Sequence, residues 1–347
     1  MSLRAHYAHS LIEKSERLKE GLAILSRDHL FAELIPTPIA DGYRNRAKYK
    51  VFGDPESFSI RGTDPIRGEV PYEDALWVMP SWGKRLVGQI VEIISGKLTH
   101  FWVDGFEVQL AHGNRHAHVT FSVKRNDKKS YAELAEFMLD NISHLEGVSI
   151  PSQKQDMGKS YLLHSVNGKK FYAQYAAFFQ SNLSLTTQLV GEVKHRCKNL
   201  EYYRILDLYC GVGLFSLSIA ENTAPVIGVD INKRAIDSAR LNARNLGLGQ
   251  VSFLCSPVEN YVQNAFVSKN DLIIIDPPRS GCPESLIHIL LERKPASICS
   301  ISCDLPSHIR DLKQWIGNGY DVQSIAALDM FPFTAFLETV VLLHRKN

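Results

Sequence analysis

The chain has 347 residues, 45% hydrophobic and 22% charged, which fits a globular protein with sizeable cores and leaves room for two domains. No apolar run reaches the roughly 18 residues needed to cross a bilayer, and the charged opening "MSLRAHYAHSLIEKSERLKEGL" has no signal-peptide core. A net charge of +2 is too small to indicate a nucleic-acid partner by itself, so any such argument must rest on local clusters.

Residues 6–26 read as an amphipathic helix, with Leu11, Leu18, Leu22 and Ile24 among charges. From 37 to 177 the segments "AKYKVFG", "HVTFSVKR" and "KSYLLHSVNGKKFYAQY" read as strands and "SYAELAEFMLDNI" as a helix, an α+β pattern. Within it, "HGNRHAH" brings His112, His116 and His118 close, but no acid or cysteine lies nearby, and no metal site is expected. "KRNDKK" and Lys169–Lys170 read as ordinary hairpin charges. The boundary near 176–182 has no long linker.

From residue 204 onward strands alternate with helices of about 10–15 residues, which predicts a parallel, doubly wound α/β sheet. Two late strands, "YDVQSIAALDMF" and "FLETVVLLH", make the last a candidate antiparallel insertion. All six cysteines, the first at Cys197, lie in the C-terminal half without C-x-x-C spacing, so neither a zinc site nor a cysteine-ligated iron–sulfur cluster is expected. Reduced thiols and a cytoplasmic setting are the simplest expectation.

"LDLYCGVGLFSLSIA" joins an acid at a strand end, Asp207, to Gly211 and Gly213 at the turn into a helix. These glycines permit a tight turn and close backbone approach to a ligand. The third glycine of a dinucleotide fingerprint is replaced by Ser216. Asp230 ends the next strand, where a carboxylate can accept both ribose hydroxyls of an adenosine. The pattern is similar to the S-adenosylmethionine site of Rossmann-like methyltransferases; an NAD site or a ligand-free turn are the alternatives. Asp276, in "IIIDPPRSG", ends the fourth strand of this half, on the rim where open α/β sheets bind ligands. Amino-group methyltransferases usually follow D/N-P-P with an aromatic residue, and Arg279 departs from that.

Cys303 in "ISCDLPSHIRDL" would read as packing if met alone. It ends the next strand, on the same rim as Asp276, and the positive end of the following helix is expected to lower its pKa. A thiolate beside a methyl donor has one strong use. Added to C6 of a pyrimidine, it makes C5 nucleophilic, and a base must then remove the C5 proton. Glu338, a carboxyl in the apolar "FLETVVLL", is the candidate base, with its pKa expected to be raised.

"FFQSN" (178–182), "LDLYCGVG", "DPPRSG", "SC" and "FPFTAFLE" occur in the order, and at roughly the spacing, of the RNA uracil-5-methyltransferase family, which includes bacterial tRNA and 23S rRNA enzymes. The resemblance covers 178–347 strongly and "YRNRAKYKV" weakly. It implies Cys303 as nucleophile, Glu338 as base, and Gln180, Tyr209, Asp230 and Asp276 around cofactor and target, with Phe179 lining that site. It also implies S-adenosylmethionine as cofactor. Residues 1–177 would be a helix plus an α+β RNA-binding domain, and 178–347 the catalytic domain.

The chain departs from the family pattern at five positions. It has Asp304 for Asn, Ser300 for Tyr, Ser307 for Thr, Phe336 for His, and Leu214 at an asparagine-like cofactor position. A paired uracil is unreachable in its stack, so an RNA-binding surface is needed. "YRNRAKYK" interleaves Tyr43 and Tyr49, which can stack on bases, with Arg44, Arg46, Lys48 and Lys50, which can meet phosphates; a solvated edge strand is the plain alternative. A monomer acting on 23S rRNA is expected, with a tRNA T-loop uridine the alternative. Amino-group transfer and a non-enzymatic RNA-binding role are the competing classes, and neither needs both Cys303 and Glu338.

Overall fold

The computed structural model describes residues 3–25, 33–54, 56–97, 100–113, 115–123, 131–220 and 224–346. The chain forms two compact units: Met1–Pro38, Ala177–Phe179 and Leu185–Asn347 in one, Ile39–Ala176 and Gln180–Ser184 in the other. This differs from an expected division at 177/178, because the first helix belongs with the C-terminal residues. That helix, α1 (Leu3–Ile24), buries Leu18 and Leu22, and β1 (Leu34–Ile35) follows it.

In the second unit the strands are β2 (Arg46–Gly53), β3 (Phe58–Asp64), β4 (Gly68–Pro71), β5 (Gly105–Leu110), β6 (Ala117–Ser122), β7 (Leu145–Ile150) and β8 (Gln155–Gly158). They form one sheet in the order β4-β3-β2-β5-β6-β7-β8. All neighbours are antiparallel except β6 and β7. A parallel pair needs a crossover, and the helix α4 (Ala132–Asn141) lies between them in the chain. The short α2 (Tyr72–Ala75) and α3 (Ser81–Lys97) precede β5, and a hairpin of β9 (Tyr161–Val166) and β10 (Lys169–Gln174) ends the unit. Helix α3 is absent from the sequence reading. Gly83, Gly88 and Gly96 interrupt its pattern, yet Leu86, Val87, Ile90 and Ile94 all bury in the core.

The first unit continues, from Leu185, with most of α5 (Leu183–Cys197), then β11 (Arg204–Leu208), α6 (Leu214–Ile219), β12 (Val226–Asp230), α7 (Lys233–Asn245), β13 (Val251–Cys255) and α8 (Val258–Asn264). Then come β14 (Asp271–Ile275), α9 (Glu284–Arg293), β15 (Ser297–Ser302), α10 (Leu305–Gly317), β16 (Tyr320–Leu328) and β17 (Glu338–Arg345). The sheet order is β1-β16-β17-β15-β14-β11-β12-β13, the expected Rossmann-like arrangement. Strand β17 runs antiparallel between β15 and β16, the insertion the sequence predicts. Strands β14 and β15 are buried along their whole length and, after Asp271 at the start of β14, read as apolar or small runs, as a sheet covered on both faces requires. Among the described residues no helix is long and apolar enough to cross a membrane.

Candidate active site

The residues singled out for chemistry in this half stand at or just beyond the carboxyl ends of β11, β12, β14 and β15. Asp207 in β11 is fully buried, and one oxygen accepts the Ser216 amide at 3.2 Å. Its Oδ1 has no partner among the described residues. Tyr209 follows with φ 63° and donates its hydroxyl to Glu259 at 3.0 Å. The turn then needs glycine. Gly213 has φ 80°, and a Cβ there would sit 2.8 Å from Phe253. The Gly211 amide donates to Asp230 at 2.9 Å, and the other Asp230 oxygen accepts the Asn232 amide at 2.7 Å. Asp230 thus joins the glycine turn to the start of α7, the helix that Asn232 caps.

Asp276 directly follows β14, and its amide donates to the Leu208 carbonyl at 3.3 Å. Burial, then the neighbouring Asp207 and Asp230, push its pKa up to about 7. Burial chiefly raises Asp207 to about 7 as well, with Asp230 adding to it. Three acids therefore crowd one rim with an orphaned buried oxygen among them. Such a site fits a cation that also carries a ribose diol, as S-adenosylmethionine does. Ile231, 69% exposed directly after Asp230, adds an apolar surface suited to a flat adenine ring. The sequence reading did not single it out, although an aliphatic residue beside a strand-terminal acid was the available signal.

Cys303 lies just beyond β15 and Glu338 begins β17, the strand beside it. Glu338 is 2% exposed, and burial, reinforced by Asp276, holds its pKa well above the usual range while Arg279 opposes the shift. The Cys303 thiol is pushed up to about 12 by burial, then by Glu338 and Asp276. Arg279 opposes this. The expected lowering by the α10 N-terminus does not prevail over burial and these carboxyls. Asp304 caps α10 and accepts the Ser307 amide at 3.1 Å. Acidic neighbours and desolvation outweigh the helix.

Phe179 is buried in the same unit. Gln180 belongs to the other unit, where its carbonyl accepts from Asn45 Nδ2 at 3.3 Å. The Asn45 amide reaches the Ser181 carbonyl at 3.1 Å, and Arg44 bridges to Asn182. The "YRNR" and "QSN" segments are thus bonded together through Asn45, a buried residue the sequence reading passed over.

Tyr43 and Tyr49 are not base platforms. They are 2% and 3% exposed, and Tyr49 stacks on Phe106 with centroids 4.9 Å apart. Strand alternation explains this: Tyr49 points inward, and Arg46, Lys48 and Lys50 take the other face of β2. Glu107 pairs with both Arg46 and Lys48, the latter at 3.2 Å, and Glu69 pairs with Lys50 at 3.2 Å, so the face is basic but partly neutralised. The three histidines do not gather. His116 pairs with Glu146 at 2.7 Å and His118 stacks on Tyr175 with centroids 4.7 Å apart. Among the described residues no group of three His, Cys, Asp or Glu could hold a metal. "KRNDKK" lies outside the described residues.

A family profile described as tRNA (Uracil-5-)-methyltransferase matches residues 150–346. The chain belongs to this family. An uncharacterized RNA methyltransferase of Nanoarchaeum equitans is 28% identical over 343 residues, 91% of this chain and 72% of its own. One from Thermosynechococcus vestitus is 34% identical over 187 residues, 54% of this chain and 41% of its own. The chain spans only about two-fifths of the length of several such relatives, 42% for one from Halalkalibacterium halodurans. The fold is shared with the Pyrococcus abyssi tRNA (uracil-54, C5)-methyltransferase bound to S-adenosyl-L-homocysteine. The TM-score is 0.72 at 22% identity, covering 97% of this chain and 83% of that one.

Within this uracil-5-methyltransferase framework the departures have structural accounts. Ser307 Oγ donates to the Arg279 carbonyl at 2.8 Å and lies 2.6 Å from Asp304 Oδ2, which anchors the "DPPR" loop to α10. Ser300 leaves room for the buried His308, whose Nε2 lies 2.9 Å from the Ser300 hydroxyl. Phe336 carries Arg279 over its ring at 3.8 Å from the centroid. Leu214 is buried at the first position of α6.

Proposed function

We propose that the protein methylates C5 of a uridine in RNA through a covalent Cys303 adduct, with S-adenosylmethionine as methyl donor. The observation that carries this is the placing of Cys303 just after β15 and Glu338 at the start of the neighbouring β17, with Asp276 and Arg279 both acting on these two groups. Amino-group transfer has no use for a thiol at that rim.

The chain's own residues act as follows. Asp207 and Asp230 hold the cofactor's cationic and ribose groups, and Gly211 and Gly213 let the backbone approach it. Asp276 hydrogen-bonds the uracil edge. Cys303 gives its proton to solvent, Arg279 stabilises the resulting thiolate, and this adds to C6 and turns C5 into an enolate-like nucleophile. The cofactor supplies the electrophilic methyl group that C5 takes up. Glu338 removes the C5 proton, the C5–C6 double bond reforms and the thiolate leaves. In the second unit Arg46, Lys48 and Lys50 line one strand face suited to phosphates, with Arg44 nearby.

Large-subunit rRNA is the first substrate to test. A tRNA T-loop uridine is the second, favoured by the likeness of 97% of the chain to an enzyme named for tRNA uridine 54. The experiment is transfer from labelled S-adenosylmethionine to unmodified 23S rRNA and tRNA transcripts with the product nucleoside identified. 5-Methyluridine in one pool is expected, lost in Cys303→Ala while cofactor binding survives. Methylation that persists in Cys303→Ala would sink the covalent mechanism.

A further inference from the structure

We propose that His308 is a positioning residue that sets the Cys303 thiol against the Glu338 carboxyl. The inference rests on the uracil-methylation reading of the same site. His308 lies on the inward face of α10 with Leu305, Leu312 and Trp315, where an aliphatic side chain would pack without needing a partner. A buried imidazole needs two, and it has both. Nε2 lies 2.9 Å from Ser300 Oγ on β15, and Nδ1 lies 2.6 Å from Thr339 Oγ1 on β17.

One assignment of protons satisfies every group. Thr339 donates its one hydroxyl proton to the Ser302 carbonyl at 3.3 Å, so its oxygen accepts from His308 Nδ1–H. Nε2 then accepts from the Ser300 hydroxyl. The Ser302 carbonyl belongs to the peptide that begins Cys303, and Thr339 directly follows Glu338. Ser302 and Thr339 are also register partners across β15 and β17. One ring therefore ties together the helix after the nucleophile, the peptide before it and the residue after the base. Burial lowers the His308 pKa to about 4, so the ring is neutral during catalysis and acts by geometry rather than by carrying a proton.

Thr339→Val removes the hydroxyl with little change of shape, and Thr339→Ser restores it; His308→Ala is a third variant that leaves a cavity. Each is assayed well below its unfolding temperature. In Thr339→Val, kcat is expected to fall by about 10²-fold, the scale of an ångström misplacement, with KM for cofactor and RNA unchanged, and Thr339→Ser should recover most of the rate. Equal rates in the Val and Ser variants would overturn the proposal. So would a loss confined to KM. If the wild-type protein makes no 5-methyluridine, the uracil reading fails instead. The proposal is then judged on iodoacetamide alkylation of Cys303 across pH, followed by peptide mass. A profile displaced in Thr339→Val but not in Thr339→Ser supports it, and identical profiles overturn it.

Discussion

The guanidinium of Arg279 lies 3.8 Å from the centroid of the Phe336 ring, with the Phe331 ring 5.8 Å away. Arg279 also pulls the Cys303 pKa down, against burial and the neighbouring acids. An exposed cation–π contact is worth about 0.5–1 kcal/mol, enough to bias a long, otherwise free side chain toward the thiol. Phe336→Ala is therefore expected to lower kcat about threefold to fivefold and to slow alkylation of Cys303 at pH 8. Unchanged values for both would show that the stack does nothing for the thiol.

Glu338→Gln should separate adduct formation from adduct release. The amide cannot take the C5 proton, so once C5 is methylated the C6–S bond cannot break by elimination. A protein–RNA species that survives denaturing electrophoresis is expected with Glu338→Gln and absent with Glu338→Gln/Cys303→Ala. No such species with any RNA that the wild type methylates would remove Glu338 from the base role.

Cofactor affinity should depend on pH through Asp207 and Asp276. Both sit near 7 in the folded protein, against about 4 for a free carboxyl. A cationic ligand favours the ionised forms, so affinity is expected to fall as pH drops from 8 to 6, with protons released on binding at pH 7. For folding the sign is opposite. A raised folded pKa means the native state binds more protons than the unfolded one. The stability these acids contribute is fully present below about 4 and is lost as pH rises through about 7. Calorimetry in two buffers of different ionisation enthalpy measures the released protons, and none at pH 7 would refute the acid cluster as the cofactor's partner.

Lys14 on α1 bonds Asp329, which is fully buried, and donates to the Phe331 carbonyl at 2.8 Å. The segment they hold leads directly to Phe336 and Glu338. Removing one partner of a buried pair leaves an uncompensated charge, at a cost of about 3–5 kcal/mol. Lys14→Met is expected to lower the unfolding midpoint strongly, and Lys14→Met/Asp329→Leu to recover much of it. Equal loss in the single and double variants would mean that packing, not charge, dominates.

The catalytic half was legible because its elements are local. Strands of β-branched and aliphatic residues alternate with helices, and acids and glycines stand at fixed strand ends. The antiparallel β17 could be read from two late strands with no helix between them. The first unit's debt to α1 could not, because pairing Lys14 with Asp329 and seating Gly21 against Ile309 of α10 are long-range events. Tyr43 and Tyr49 misled for a related reason. An aromatic–cation alternation looks the same whether the aromatic face meets RNA or Phe106.

Sequence by itself determined the identities that chemistry demands: a thiol at one strand end, a carboxyl in an apolar strand, and acids flanking a glycine turn. Residue type and local pattern set those. Tertiary structure alone decided protonation and geometry. Desolvation and neighbouring charge, which depend on what surrounds a group in space, raise the pKa values of Cys303 and Glu338, and packing makes His308 a link between strands that the chain itself keeps far apart.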